Sequence, residues 1–313
     1  MEIKRITIEK PDKKTGAKAA CELVNEKMGE DAFRARYLGG GSFGMAYGVC
    51  GKKEYVVKFL LADGMLEKET HDLKLLAKYS PVKIPEVYYS GKTPYGTDAY
   101  IMERIPGKSA LYSAGLFFAS ARKRAEFAEV VTSALNSIHQ CTNPKFGDTM
   151  NPNSDTWTEY YMPFAESILR AAEKYFERGE LRPDILEAMR LAMNKFEVIF
   201  SEPVEKAVLI HGDLNVANIM YAGGKVTGFI DPLNSMYADR EYDLFQFYNL
   251  TGKRFPLGKM YTEKYGASEM YSAKTAFYAL YNEAYCVIKS GALFPIIMDP
   301  LVKNMFTELK KLK

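Results

Sequence analysis

The sequence predicts an α+β chain of two lobes, a small antiparallel sheet followed by a larger, mainly helical region. Three observations carry this. The stretch RYLGGGSFGMAYGVCGKKEYVVKFL alternates short apolar runs with glycine clusters, the texture of strands joined by tight turns. Farther on, Phe127, Val130, Val131, Ala134, Leu135 and Ile138 recur at helical spacing. A β-rich island, AVLIHGDLNVANIMYAGGKVTGFID, then interrupts the helical half, with Gly223-Gly224 as its hairpin turn.

In chain order, residues 2–9 alternate weakly and predict a short strand, residues 13–16 a turn, and residues 17–28 a helix. Three strands follow, parted by the glycine cluster and by Gly51-Lys52-Lys53. Residues 64–79 read as a helix from Leu66, Leu73, Leu75, Leu76 and Tyr79. Residues 86–89 and 99–103 read as strands across a turn-rich connection. Arg104-Ile105-Pro106-Gly107 breaks the pattern, so we expect lobes at 1–104 and 105–313 with a hinge at 101–106. Helices are expected over 122–139, 160–178 and 183–200, and through most of the chain after Tyr242.

Composition narrows the function classes. A chain of 313 residues with 47% hydrophobic and 26% charged content can bury an ordinary globular core. The formal charge of +3 and the lack of a basic run argue against a nucleic-acid partner. Neither a signal stretch nor an apolar window of about 18 residues is visible, so no membrane partner and a cytoplasmic location are expected. Cys21, Cys50, Cys141 and Cys286 lie far apart and the three histidines are scattered, which disfavours a disulfide framework or a zinc site.

The chemistry concentrates in the island. His211-Gly212-Asp213 follows a buried-looking strand, Asn218 comes five residues after the aspartate, and the strand VTGFI ends on Asp231. Asparagine and carboxylate oxygens suit magnesium, which takes one or two carboxylates plus phosphate and water. Phosphoryl transfer needs a base for the attacking hydroxyl, metal ligands, and a cation on the phosphates. Asp213 fits the base, Asn218 and Asp231 the metal, and Lys58 the cation. A lysine inside the β-branched run YVVKF wants a partner, for which Glu69 is preferred over Glu67. Gly40, Gly41, Ser42 and Phe43 lie in a turn able to approach phosphates, and no Walker lysine follows them. His211 reads as a brace of the catalytic loop, His71 as a surface residue, and His139 as a partner of its helix's last carbonyls. Trp157, Tyr160 and Tyr161 read either as core or as the wall of a substrate site. Each feature alone has a plain structural explanation; their order along the chain is what points to an enzyme.

HGDLNVAN followed by VTGFIDP resembles the signature of the aminoglycoside phosphotransferase and choline-kinase-like superfamily, relatives of protein kinases that act on small molecules. The resemblance spans roughly residues 35 to 250 and implies a protein-kinase-like fold using ATP and Mg²⁺. It implies Asp213 as base, Asn218 and Asp231 as metal ligands, and Lys58 with Glu69 as the phosphate anchor. Met102, Glu103, Arg104 and Ile105 would meet the adenine. YADREYDL, from Tyr237 to Leu244, and the Trp157-led helix start resemble fructosamine-kinase-like proteins. That finer resemblance implies a ketoamine acceptor, with Trp157, Tyr161, Asp213 and Glu241 as substrate residues and Asp243 as structural. Asn215 stands where that group often has tryptophan, and GGGSFG is more protein-kinase-like than its usual loop. Aminoglycosides, other amino sugars and amino alcohols are the alternative acceptors, and a nucleotide-binding scaffold without turnover is a further alternative. A protein kinase is disfavoured by HGD in place of HRD, by Pro232 after the aspartate, and by the lack of an APE-like segment. A monomer or weak homodimer is expected.

Overall fold

In the structure, a computed structural model that describes residues 3, 5–6, 10–41, 43–62, 64–93 and 96–312, the chain builds a five-stranded sheet first. Helix α1 (Lys13–Met28) starts at Asp12, whose carboxylate accepts the N–H groups of Lys14 and Thr15. The turn expected over 13–16 is therefore the helix's first turn, because the cap satisfies its orphan donors. Of the strand expected over 2–9, residues 2, 4 and 7–9 lie outside the described residues, and the Ile6 N–H donates to the Lys289 carbonyl.

Strands β1 (Arg34–Gly40), β2 (Gly44–Cys50) and β3 (Glu54–Leu60), helix α2 (Met65–Tyr79), and strands β4 (Val87–Lys92) and β5 (Asp98–Glu103) complete the first lobe. The sheet is antiparallel in the order β1-β2-β3-β5-β4. Central β3 is covered on both faces, and the period of two sorts its side chains. Tyr55, Val57 and Phe59 pack with Ala20, Leu23 and Val24 of α1. Val56 and Leu60 join Leu73 and Leu76 of α2 in the larger core. Lys58 shares the second face, which is why it meets α2.

The helical region contains β6 (Lys108–Ser109), α3 (Ala114–Phe117), α4 (Ala121–His139), β7 (Thr142–Asn143), β8 (Phe146–Asp148) and β9 (Asn151–Ser154). It continues with α5 (Trp157–Glu177), α6 (Pro183–Asn194), α7 (Phe196–Ile199), β10 (Ala207–Leu209), β11 (Ile219–Ala222), β12 (Lys225–Phe229) and β13 (Met236–Ala238). Helices α8 (Glu241–Leu244), α9 (Leu257–Tyr265), α10 (Tyr271–Ser290) and α11 (Pro295–Leu309) end it. The helix expected over 183–200 is divided at Lys195, whose φ of −105° and ψ of 10° leave helical geometry.

Two small sheets position the loops between them. One has the order β7-β10-β13-β8-β9, the other β12-β11-β6. Gly223 and Gly224 turn the β11–β12 hairpin with φ of 57° and 80°, as a two-residue turn of this hand requires. β6 pairs with β11, and Lys83 bridges to Gly228, so segments leading from the first lobe are stitched to this hairpin. Among the described residues no helix is long and apolar enough to cross a membrane.

Candidate active site

The Lys58 ammonium donates to Glu69 Oε2 at 2.8 Å and to Asp231 Oδ1 at 2.6 Å. Tyr100 donates its hydroxyl to the same Glu69 oxygen at 2.9 Å, while Glu69 Oε1 is buried with no partner among the described residues. Burial opposes the Lys58 charge, but Asp231, Tyr100 and Glu69 outweigh it and hold the pKa well above the usual lysine value. Crowding by the surrounding protein atoms pushes Asp231 up, although its side chain is 51% exposed, yet the Lys58 charge overrides it and leaves that carboxyl below its ordinary value. Asp231 adopts φ of 57°, a left-handed conformation costly for a side chain other than glycine. The strand end thus turns this carboxylate toward Lys58.

The loop from His211 to Asn218 hangs from a buried carboxyl group. Asp243 is wholly buried, and its carboxylate accepts the His211 N–H at 2.8 Å and the Gly212 N–H at 2.7 Å. His139 Nε2 lies 3.1 Å from the same group, and His139 Nδ1 lies 2.6 Å from the Tyr261 hydroxyl. His139 therefore buttresses Asp243 instead of capping its helix. Gly212 has φ of 81°, and a Cβ there would sit 2.1 Å from the Leu233 carbonyl oxygen, so only glycine fits. His211 is buried; its Nδ1 accepts the Asp213 N–H at 3.3 Å, Nε2 has no partner among the described residues, and burial lowers its pKa.

Asp213 follows. Its two oxygens accept from Asn215 at 2.8 Å and from Asn218 at 2.9 Å. Burial, and then the charge of Asp231, push its pKa up to about 8 despite those bonds. Asn218 also donates to the Asp213 carbonyl at 2.8 Å, and its own carbonyl accepts the Ile230 N–H at 2.9 Å. Base candidate, asparagine and Asp231 are thereby held on one scaffold.

Gly40 and Gly41 lie at the β1–β2 turn; Ser42 lies outside the described residues. Gly44 lets the Lys58 stem pass, since a Cβ there would sit 3.0 Å from Lys58 Cε. Phe43 reaches across to α10 and stacks on Tyr285, with centroids 6.3 Å apart. In the segment expected to be the hinge, Met102 is buried in β5 and the Glu103 N–H is engaged by the Glu86 carbonyl at 2.8 Å. Arg104 donates to Glu54, and Ile105 is buried with no backbone partner among the described residues.

The profile described as the phosphotransferase enzyme family matches residues 46–286. The chain belongs to that family. A candidate fructosamine-3-kinase from Thermobifida fusca YX-ER1 is similar in structure, with a TM-score of 0.66 at 20% identity over 92% of this chain and 98% of that one. Another from Haemophilus somnus 129PT gives 0.64 at 20% identity over 94% and 99%. A thermostable mutant of aminoglycoside phosphotransferase APH(4)-Ia, in ternary complex with AMP-PNP and hygromycin B, gives 0.68 at 15% identity over 93% and 98%. At these identities the likeness shows the fold. No curated protein matches the sequence.

In this phosphotransferase, three residues expected at the substrate do not face a cleft. Trp157 is 1% exposed, stacks on Tyr161, and donates its indole N–H to the Tyr278 hydroxyl at 2.7 Å. Tyr161 is buried in the same aromatic cluster. Glu241 is buried, pairs with Lys274 at 2.8 Å, and accepts from the Ser268 N–H and hydroxyl. All three are core: the aromatic rings fill volume, and the glutamate closes a buried ion pair. Helix α10 reaches the glycine turn instead. Its Tyr285 stacks under Phe43, and Cys286 has its thiol pushed up by burial and then by Glu283 and Asp213. Continuing the helical period through residues 283–286 was the signal available for this face.

Among the described residues, no group of three or more His, Cys, Asp and Glu side chains could hold a metal ion. Magnesium asks for less than that. Asn218 uses its amide nitrogen on Asp213, which leaves its Oδ1 unengaged among the described residues, and Asp231 uses Oδ1 alone. These two oxygen donors fit a hard divalent cation.

Proposed function

We propose that this phosphotransferase moves the terminal phosphoryl group of ATP to a hydroxyl of an amine-bearing small molecule, a ketoamine (fructosamine) or similar amino sugar. The observation that carries the reading is Asp213, a carboxylate held by Asn215 and Asn218 and pushed up to about 8 by burial and by Asp231. A raised pKa makes it a better proton acceptor at the moment of transfer. It orients the acceptor hydroxyl and takes its proton as the oxygen attacks phosphorus and the bond to ADP breaks. Lys58, fixed by Glu69, holds the phosphates in line. Mg²⁺ held by Asn218 and Asp231 would neutralise phosphate charge when bound. The glycine turn with Gly40, Gly41, Ser42 and Phe43 covers the phosphates, and Met102, Glu103, Arg104 and Ile105 border the base, with the Ile105 backbone, unpaired among the described residues, the best placed. Lobes at 1–104 and 105–313, a cytoplasmic location and a monomer or weak homodimer belong to the same reading.

The ketoamine is favoured by the YADREYDL resemblance and by structural likeness to two candidate fructosamine-3-kinases. An aminoglycoside acceptor is the second reading, since a similar fold was solved with hygromycin B and AMP-PNP. The test is ADP release with Mg²⁺ against ketoamines, aminoglycosides, amino sugars and amino alcohols. Selective turnover of a ketoamine is expected; selective turnover of an aminoglycoside would move the substrate, and release only with a peptide would overturn the reading.

A further inference from the structure

Lys68 and Glu69 are neighbours on α2, so their side chains leave the helix about 100° apart. Glu69 turns to Lys58. Lys68 turns to the helical region, where its ammonium donates to the Ser235 carbonyl at 2.7 Å and to the Thr149 hydroxyl at 3.1 Å. Asp72, one turn along α2, accepts from Lys68 at 2.7 Å, and its other oxygen accepts the Thr149 hydroxyl. Asp148 stands 3.3 Å from the same ammonium. Asp72, Thr149 and Ser235 are buried, and the Lys68 side chain is only 27% exposed. The group is therefore unlike a solvated surface pair, whose effect is small.

Ser235 closes a ring. It ends the segment that begins at Asp231, and both ends of that segment are tied to α2. At the start, Asp231 meets Lys58, which Glu69 fixes. At the end, Ser235 meets Lys68. The Ser235 hydroxyl also donates to the His211 carbonyl at 2.9 Å. Between the ends, Leu233 and Asn234 pack so close to Gly212 that a Cβ there would collide with them. Asp231 and Asn234 both have positive φ, 57° and 59°. Two left-handed residues other than glycine, so close together, store strain that only the surrounding contacts hold in place. Without a hold at Ser235, that strain relaxes by turning Asp231 away from Lys58.

We propose that Lys68 is a positioning residue of this phosphotransferase, the second pin of a clamp by which α2 fixes the Asp231 segment. Lys58 with Glu69 is the first pin. Lys68 acts through Asp231, by keeping that carboxylate where it meets a divalent cation and the phosphates. The role given to Asp231 rests on the kinase reading above; the clamp itself rests on the contacts of Lys68.

The test compares the full-length wild type with K68M and with K68M/D72N, which removes the cation without leaving Asp72 as an unpaired buried charge. Hydrogen exchange is followed without ligand at the amides of residues 233–236 and of α6, which packs on α5, α10 and α11 away from the clamp. Exchange at 233–236 should quicken about tenfold in both variants, the weight of one charge-assisted hydrogen bond, and stay unchanged in α6. Binding of AMP-PNP is then measured by calorimetry with and without Mg²⁺. Mg²⁺ should tighten binding in the wild type. Both variants should lose about fivefold of that tightening, with metal-free affinity within about twofold of the wild type. Unchanged exchange at 233–236, or a rise shared with α6, would overturn the clamp. Faster exchange with the Mg²⁺ effect fully retained would leave Lys68 a structural residue and overturn its positioning role. A wild type indifferent to Mg²⁺ would sink the metal reading, and the exchange result would still decide the clamp.

Discussion

Asp213 is where sequence position and physical environment meet. In the unfolded chain its carboxyl ionises near the ordinary value of 3.8; in the folded protein burial and Asp231 hold the proton to about 8. Between those values the unfolded state binds fewer protons, so this group's contribution to stability is full below the lower pKa and is lost as pH rises toward the upper one. Without nucleotide or divalent metal, D213N should therefore gain stability over the wild type at pH 8 relative to pH 5, measured by denaturant unfolding. A constant difference between the two pH values would show that Asp213 titrates normally. Lys58 was legible for a similar reason, since an ammonium in a β-branched strand must find a carboxylate. Which carboxylates it finds was only partly legible: Glu69 is local, but the bond to Asp231 spans 173 residues. Glu241 shows the limit in the other direction. A motif says that a residue is needed, and only packing says whether it faces ligand or, as here, Lys274.

At the scale of elements, periodicity located those that are long enough to have a period. β1–β3, α2, α4 and the β11–β12 hairpin fall close to expectation because each spans several repeats of its pattern or ends at a glycine turn. The strands β7, β8, β9 and β13 were not foreseen, since runs of two to four residues carry no alternation to read. They matter nonetheless: β10 and β13 flank the catalytic loop, and the Ile210 N–H donates to the Met236 carbonyl at 3.0 Å. Helix α5 tests core against substrate wall. Trp157 opens it under a Thr156–Glu159 capping box and fills the aromatic cluster with Tyr161, Tyr242 and Tyr278. W157A should cost about 3–5 kcal/mol by denaturant titration. A variant of wild-type stability with a raised acceptor KM would return Trp157 to the substrate site.

Across the whole molecule, two regions touch where chemistry is expected to occur. The Phe43–Tyr285 stack joins the glycine turn to α10, and Tyr285 is braced in turn by Phe164 at 5.6 Å. Closure of this kind excludes water from a reacting phosphate. F43A should raise acceptor-independent ATP hydrolysis about threefold or more, checked by ADP release without acceptor; an unchanged rate would deny the ring a covering role. The order of the motifs made two lobes legible from the sequence, but the contact across the cleft was not, because it joins residues about 240 positions apart and depends on the lobes' relative placement. The most direct test of the account compares D213N with the wild type in single-turnover phosphoryl transfer and in ATP binding. The account predicts loss of transfer, with ATP affinity within about threefold of the wild type because the base meets the acceptor and not the nucleotide. A variant that keeps most of its transfer rate would contradict the assignment of Asp213 as the base.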